Sequence, residues 1–509
     1  MKKVFFQIAI VGALIVCPSS SLAQDTVDPT FGTNGKVMEV LSDQGGARFD
    51  TLLVHDDDKV IAIGSARLAE PVTNNDNYRV ITMYRYLKDG SRDISFGDDG
   101  VTVADHICED WDACEEAIFG LGDEDVVGAH FQSDGKIVLA LTAWRNYTTF
   151  GVARFDSDGI LDTAFGGHPG FGYGGDGVYA ENSAIQSDDK ILVVGRRVSN
   201  PDPHKVAVTR FTTDGLLDMT FGTANGTVLT NTHPGTGSYS GDSGNDVAVQ
   251  SDGKIIVAGT TAIQGCGDNN ESFFTRGLLE RLNSDGTFDT SFGSDGVVKY
   301  TAASVFDAKP WDLSTTYPCS ESTLKSVAVQ SDGKIVVMGT GVNAPFSVFL
   351  ARFNTNGGID TSFGYEGVIA LYDDYSYKTY DHLNTVFTNN GQDLNVENMK
   401  LLKDGYIALS GNYYTGSDYD NKHFMTLLFT KDGQFIRTFG NEGIITTNVD
   451  FPDDFLYGGA TAFDLAEQTN GKILLGGYAD GYDNPSHGVL VRLPLLNVAS
   501  PSIIMYLLN

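Results

Sequence analysis

The side chains in this chain that could do chemistry are nine histidines, five cysteines and 66 aspartates and glutamates. Their spacing assembles none of the familiar frames. His106, His204, His233, His423 and His487 fall in variable stretches between apolar runs. None belongs to a Ser/His/Asp set or an H-E-x-x-H helix, so a catalytic residue cannot be nominated. With so many acids, no single pair stands out as placed for glycoside cleavage. Hard oxygen ligands of the kind Ca²⁺ prefers occur together at Asp418-Tyr419-Asp420-Asn421, at Asp268-Asn269-Asn270-Glu271 and at Asn74–Asn77. Asp418, Asp420, Asp268 and Glu271 are the candidate metal ligands, with Ca²⁺ as the candidate ion, although none of these turns has the spacing of a twelve-residue Ca²⁺ loop.

The amino terminus reads as an export signal. Lys2 and Lys3 precede an apolar run from Val4 to Val16, and Ser21-Leu22-Ala23 supplies small residues for cleavage. Residues 1–23 are therefore expected to be removed, leaving a secreted, periplasmic or cell-surface protein. No later run is long and apolar enough to span a bilayer as a helix. Formal net charge is −32, and losing the two lysines would make it −34. Such a surface repels phosphate backbones, so nucleic acid is excluded as a partner. Four cysteines remain after cleavage: Cys108, Cys114, Cys266 and Cys319. An even number in an exported chain predicts two disulfides. Cys108 and Cys114 are close enough in sequence to close one loop, which leaves Cys266 with Cys319.

The elements that must position these residues are repeats. A D-x-x-F-G block recurs at Asp28–Gly32, Asp93–Gly97, Asp162–Gly166, Asp218–Gly222, Asp289–Gly293 and Asp360–Gly364, with a degenerate seventh copy at Ile436–Gly440. Phe31 and Phe439 are 408 residues and six periods apart, a mean of about 68 residues. A turn of the type Ser331-Asp332-Gly333-Lys334-Ile335 also occurs seven times, and an Asn354–Gly357-type turn follows each copy except the last. Between turns lie short Val-, Ile- and Phe-rich runs, such as Val297–Thr301, Lys325–Gln330, Ile335–Gly341 and Val348–Asn354 in the fifth repeat. Asp-Gly punctuation around such runs predicts strands joined by tight hairpins. Four strands in each of seven repeats predict an all-β, seven-bladed propeller of antiparallel blades spanning residues 24–496, with an apolar tail at 497–509. A linear β-solenoid fits less well, because the repeats vary from 56 residues (Phe165 to Phe221) to 76 (Phe363 to Phe439). The last copy lacks its final turn and D-x-x-F-G block, whereas Asp28–Gly32 is a spare block at the other end. The amino-terminal segment is therefore expected to complete the last blade and close the ring, removing exposed sheet edges.

The combination F-G-x-x-G-V, S-D-G-K-I-V-V-x-G and x-R-F-x-x-D-G-x-x-D-x-x-F-G resembles the bacterial delta-60 repeat family, over Asp28 to about Leu493. That resemblance implies a bacterial repeat protein and no particular activity. The sixth and seventh copies depart most, with Ile436 in place of Asp and Tyr406 in place of Lys. The repeated Asp, Gly and Phe are expected to act as turn formers and inter-blade packing.

Alternation of strand direction sorts the loops onto two faces. The S-D-G-K turn and the D-G to F-G connection share one face and are short. Almost all length variation, including Asp105–Asp125, Ala302–Leu324, Tyr372–Asn395 and Gln264–Thr275, falls on the other. All three tryptophans (Trp111, Trp144 and Trp311) and the four cysteines map there, with Tyr375, Tyr377 and Tyr380 in one loop and Tyr413 and Tyr419 in another. Variable loops on a rigid scaffold are where ligands bind. The expectation is a monomeric binding or adhesion scaffold for an extracellular protein or carbohydrate. The alternative is a propeller enzyme acting on glycans or using a quinone or metal in a central channel.

Overall fold

The computed structural model describes residues 27–494, apart from 41–45, 68–78, 105–122, 145–147, 199–202, 223–224, 233–240, 265–272, 303–320, 343–347, 373–385, 388–393, 415–421, 441–442, 450–458 and 481–485. Seven antiparallel sheets follow one another along the chain. Their inner strands are Ala47–Val54, Asp123–Phe131, Val178–Ile185, Asp242–Val249, Glu321–Val329, Leu394–Leu401 and Ala460–Glu467. Each inner strand touches the next, and the seventh touches the first, so the sheets form a closed ring. The chain is a seven-bladed β-propeller, as its turns and repeats predict.

Blade and repeat are out of phase by one strand. In the fifth blade the strands run Glu321–Val329, Ile335–Val342, Val348–Phe353 and Val368–Tyr372, with Val386–Phe387 added in parallel at the outer edge. The run Val297–Tyr300, read from sequence as the first strand of the fifth repeat, is the outer strand of the fourth blade. The offset leaves an outer strand to be supplied at the end of the chain. Lys36–Glu39 supplies it, pairing antiparallel with the seventh blade's third strand from Lys36 opposite Val491 to Glu39 opposite Gly488.

The second and third strands are apolar on both faces, as Ile335–Val342 and Val348–Phe353 illustrate, because each blade is covered by two neighbours. Beneath the short-turn face a polar unit repeats six times. Arg85–Asp93, Arg154–Asp162, Arg210–Asp218, Arg281–Asp289, Arg352–Asp360 and Arg492–Asp28 pair at 2.8–2.9 Å. The lysine of each S-D-G-K turn or its counterpart joins at 2.5–3.5 Å. Each guanidinium also lies over the D-x-x-F-G phenylalanine, 4.4–4.7 Å from its centroid. It donates as well to a carbonyl in the following blade's third turn, as Arg352 does to Lys431 O at 2.8 Å. One planar cation thus ties a strand, a turn and the next blade.

The sixth blade replaces all three charged members together, with Leu428, Ile436 and Tyr406 in place of Arg, Asp and Lys. The physical reason lies in its neighbour. The seventh blade passes from Arg492 into Leu493-Pro494-Leu495 without the Asp-Gly turn whose carbonyl an arginine meets in the other blades. A buried ion set without its full complement of partners costs more than an apolar one.

Candidate functional site

Every inner strand carries a bulge. The register slips between Phe49 and Thr51, Val126 and Gly128, Ala180 and Asn182, Gly244 and Asp246, Leu324 and Ser326, Val396 and Asn398, and Ala462 and Asp464. In six blades a glycine of the second strand faces the bulge; a Cβ on Gly259 would lie 1.9 Å from Ser243 O, and one on Gly477 1.9 Å from Thr461 O. That is what the final Gly of S-D-G-K-I-V-V-x-G is for. A bulge re-aims the side chains around it, and here it divides the lining of the ring's axis into two levels.

The throat is the level nearer the short turns. Asp246 accepts hydrogen bonds from Val247 N (2.8 Å) and, across the seam, from Val327 N (2.7 Å) and Ser326 Oγ (3.1 Å). Asp464 accepts from Leu465 N (2.8 Å) and from the first blade's Leu52 N (2.9 Å) and Thr51 Oγ1 (3.2 Å). It also takes Asn398 Nδ2 (2.8 Å) and Lys400 Nζ (2.7 Å) from the sixth blade. Two residues beyond the post-bulge position four blades carry alanine (Ala184, Ala248, Ala328, Ala466) and the first carries Leu53, but the second and sixth carry His130 and Lys400. His130 Nε2 is 2.9 Å from Ser183 Oγ of the third blade. Burial pushes the His130 imidazolium down to about 4, and the charge of Lys400 adds to that. Burial pushes the Asp246 carboxyl up to about 6, against its hydrogen bonds and the attraction of Lys400. A lysine anchored on the seventh blade whose field reaches the second and fourth must lie close to the axis. Asp246, Asp464, Ser183 and Ser326 are all buried and engaged with one another's blades. The throat is a polar plug that staples blades together, and its serine–histidine contact offers no exposed nucleophile.

The mouth is the level toward the long loops. Arg48 pairs with Asp50 at 2.9 Å and with Asp125 of the second blade at 2.6 Å. Arg196 lies over the Tyr179 ring at 4.8 Å. Glu181 is exposed to solvent, yet the surrounding protein raises its carboxyl above the usual range, against the attraction of Arg196. Phe463 and Tyr478 stack at 5.4 Å with their planes 23° apart. Lys422 sits 5.4 Å above the Tyr414 ring, and burial raises the neighbouring Tyr413 phenol. Flat apolar faces beside fixed charges suit a ligand with both hydroxyl and apolar surfaces.

Of the residues singled out from sequence, Tyr413 is half-buried near this mouth, and Trp144 ends the second blade's second strand, paired with Asp123. Trp111, Trp311, Tyr375, Tyr377, Tyr380, Tyr419, the four cysteines, Asp418, Asp420, Asp268 and Glu271 lie outside the described residues, as do His106 and His233. His423 and His487 fall within strands rather than loops, and His204 makes an isolated bridge with Gly241. Among the described residues no group of three or more His, Cys, Asp or Glu is arranged to hold a metal. The throat residues His130, Lys400, Asp246 and Asp464 escaped the sequence reading. Aligning the repeats on their bulges would have exposed His130 and Lys400, the two ionisable residues in an otherwise apolar column of Leu53 and four alanines.

Five segments, residues 132–165, 186–221, 250–292, 330–363 and 468–493, match the family described as "Domain of unknown function (DUF5122) beta-propeller". Each starts at an S-D-G-K-type turn and takes in a blade's second and third strands, stopping short of the outer strand, and the matches support a propeller-repeat protein. No curated protein matches. Among solved structures, a protein of unknown function from Dyadobacter fermentans DSM 18053 is 12% identical, covering 91% of this chain and 98% of its own, with a TM-score of 0.42. A polysaccharide lyase of an ulvan-lyase family is 11% identical over 89% of this chain and 96% of its own, with a TM-score of 0.44. The Bacillus subtilis arabinanase Arb43A is 10% identical over 62% of this chain and 96% of its own, with a TM-score of 0.28. All three are distant likenesses.

Proposed function

We propose that this protein is an exported binding scaffold, a member of the delta-60 repeat family that takes a carbohydrate or protein ligand at the mouth of the ring on the long-loop face. The observation that carries the reading is the contrast between the two levels of the axis. The throat's ionisable groups are spent on one another, while the mouth presents stacked aromatics, an arginine over a tyrosine ring and the exposed carboxyl of Glu181. An enzyme needs converging titratable groups open to substrate, and the throat provides none that is both open and uncommitted. The long-loop sequences carry tryptophans, tyrosines and acids, a composition that suits carbohydrate faces and, through the acids, Ca²⁺. The test is a glycan and extracellular-protein array probed with the purified chain, with and without Ca²⁺, alongside Phe463→Ala and Arg196→Ala. A ligand whose binding both variants weaken at least tenfold supports the reading. Turnover of any arrayed glycan, or binding that neither variant alters, would sink it.

A further inference from the structure

The long-loop end of the third blade gathers positive charge. Arg197 of its second strand and Lys205 of its third stand directly opposite each other. Side chains so placed share one face of the sheet, and like charges there repel. The repeats act as their own control. Where the third blade has Arg197, the others have Ala66, Ala143, Thr261, Gly341, Tyr413 or Ala479. Opposite five of these stand Val80, Thr149, Arg276, His423 and His487. Among the described residues, then, the third blade alone pairs two permanent cations at this register. Both side chains are partly buried, and neither makes an ion pair or a hydrogen bond with a described residue. By contrast, Lys190 and Arg210 of the same blade both reach Asp218. Asp176, on the crossing from the second blade, instead accepts the Tyr173 phenol at 2.6 Å. Space is left beside the pair. A Cβ on Gly177 would meet nothing nearer than Val198 O at 3.5 Å and Arg197 Nε at 3.7 Å, and one on Gly175 would meet nothing within 4 Å. On the other face of the same strand, Arg196 lies over Tyr179 with its Nε buried and without a hydrogen-bond partner among the described residues. Burial and the charge of Arg196 hold the His204 imidazolium below its usual range, so this end of the blade already resists added positive charge.

We propose that Arg197 and Lys205 bind the carboxylate or sulfate group of an acidic sugar, with Arg196 and Tyr179 flanking them at the same strand end. This rests on the long-loop face being the ligand-binding mouth, and it narrows that ligand to an anionic glycan. A guanidinium fork matches two oxygens of either group, and an anion between the two cations relieves their repulsion. The chain's net charge of −32 repels anions at long range, so cations kept together without acids stand against the general character of the surface. A sugar fits better than an acidic peptide. The backbone beside the pair is already engaged, Val198 N donating to Gly177 O (2.8 Å) and Asp242 N to His204 O (3.0 Å), so no strand edge is open there for a peptide to join. The Tyr179 ring offers a flat apolar face to a sugar instead.

The test is an array of uronic-acid and sulfated glycans printed beside their carboxyl-reduced and desulfated counterparts, probed with the full chain. The best ligands should be acidic, and neutralising them should weaken binding at least about tenfold. Arg197→Gln with Lys205→Gln should abolish that preference, and which member of the array loses it tells carboxylate from sulfate. Without ligand, the same double variant should unfold no lower than the parent, because it removes a repulsive pair. Uncharged glycans bound as tightly as acidic ones, and weakened by Phe463→Ala, would overturn this inference while leaving the mouth a binding site. An acid preference that survives the double variant, or a lowered midpoint showing the pair to be structural, would also overturn it. Binding of no glycan would overturn both readings.

Discussion

At the scale of single residues, the repeated Arg–Asp–Lys unit explains most of what the motif conserves across repeats. Replacing Arg352 with Ala leaves Asp360 buried without its closest cation and Lys431 O without its donor, a loss of about 3–5 kcal/mol in unfolding free energy. The triple change Arg352→Leu, Asp360→Ile and Lys334→Tyr, which copies the sixth blade, should cost less than the single one; equal losses by denaturant unfolding would refute the account. The same carboxylates set the acid limit. Hydrogen bonds and cations hold Asp93 down to about 2, and depress Asp28, Asp289 and Asp360 further. A carboxylate whose folded value is depressed contributes its stability above the unfolded value and loses it as pH falls through the folded one. The thermal midpoint should therefore drop steeply between about pH 4 and pH 2, and a flat profile there would count against it. Glu280 has the opposite sign. It is wholly buried between the third and fourth blades, accepts Thr230 Oγ1 at 2.8 Å, and is pushed up to about 8 by burial, with the charge of Asp242 adding to the effect. Its contribution is present below the unfolded value and disappears as pH rises toward 8. Glu280→Gln should thus stabilise the protein more at pH 8 than at pH 5, and a pH-independent difference would contradict that.

At the scale of the element, the bulge organises the molecule, and it was only half legible. Asp-Gly turns, strand count and two-sided burial could be read from composition and punctuation alone. The bulge could not, because the run Ile335–Gly341 gives the strand, which ends at Val342, but says nothing of the extra residue in the inner strand opposite Gly339. The glycine is there because the inner strand's carbonyl occupies the space a Cβ would need. Gly259→Ala, with its Cβ 1.9 Å from Ser243 O, should lower unfolding free energy by about 1–3 kcal/mol. Gly135→Ala meets nothing within 4 Å, but its φ of +84° is one that L-residues rarely adopt, and the cost there is about 1–2 kcal/mol. The two should differ in kind: hydrogen exchange should rise along the inner strand of the fourth blade in the first variant and stay confined to the turn in the second. The candidate site was less legible than the fold for the same reason. Asp246 and Asp464 share one inner-strand position in two blades and His130 and Lys400 another, too few copies for a repeat signature, and only the bulge register aligns them.

At the scale of the whole molecule, closure depends on contacts between residues more than 400 positions apart. The spare Asp28 block visible in the sequence does what its position suggests. Asp28 takes Arg492 at 2.9 Å and Lys472, Thr30 Oγ1 accepts Arg492 Nη2 at 2.9 Å, and Lys36–Glu39 pairs with Gly488–Val491. A second staple comes from Asp58, which occupies a left-handed turn position (φ 65°) where most blades have glycine. Its carboxylate accepts from Thr469 N at 2.6 Å and Thr469 Oγ1 at 2.8 Å across the same seam. The backbone strain of that aspartate is offset by this bond across the closing seam, and Asp189 makes the same exchange with Ser133 between the second and third blades. In a ring, opening one seam frees every other blade from one constraint, so damage there should not remain local. Removing residues 27–39 would leave the Gly488–Val491 edge unpaired and Arg492 buried without Asp28. The truncated chain should lose more than the roughly 3–5 kcal/mol of one broken buried pair, and should associate through the bare edge. The measurement is sedimentation together with thermal unfolding, with a peptide of residues 27–39 added back in excess. Recovery of both the monomer and the midpoint with the peptide is the expected result. A truncated chain that stays monomeric and unfolds at the parent temperature would mean that the ring is held shut by its blade cores alone, and that the amino-terminal strand is an accessory rather than the clasp.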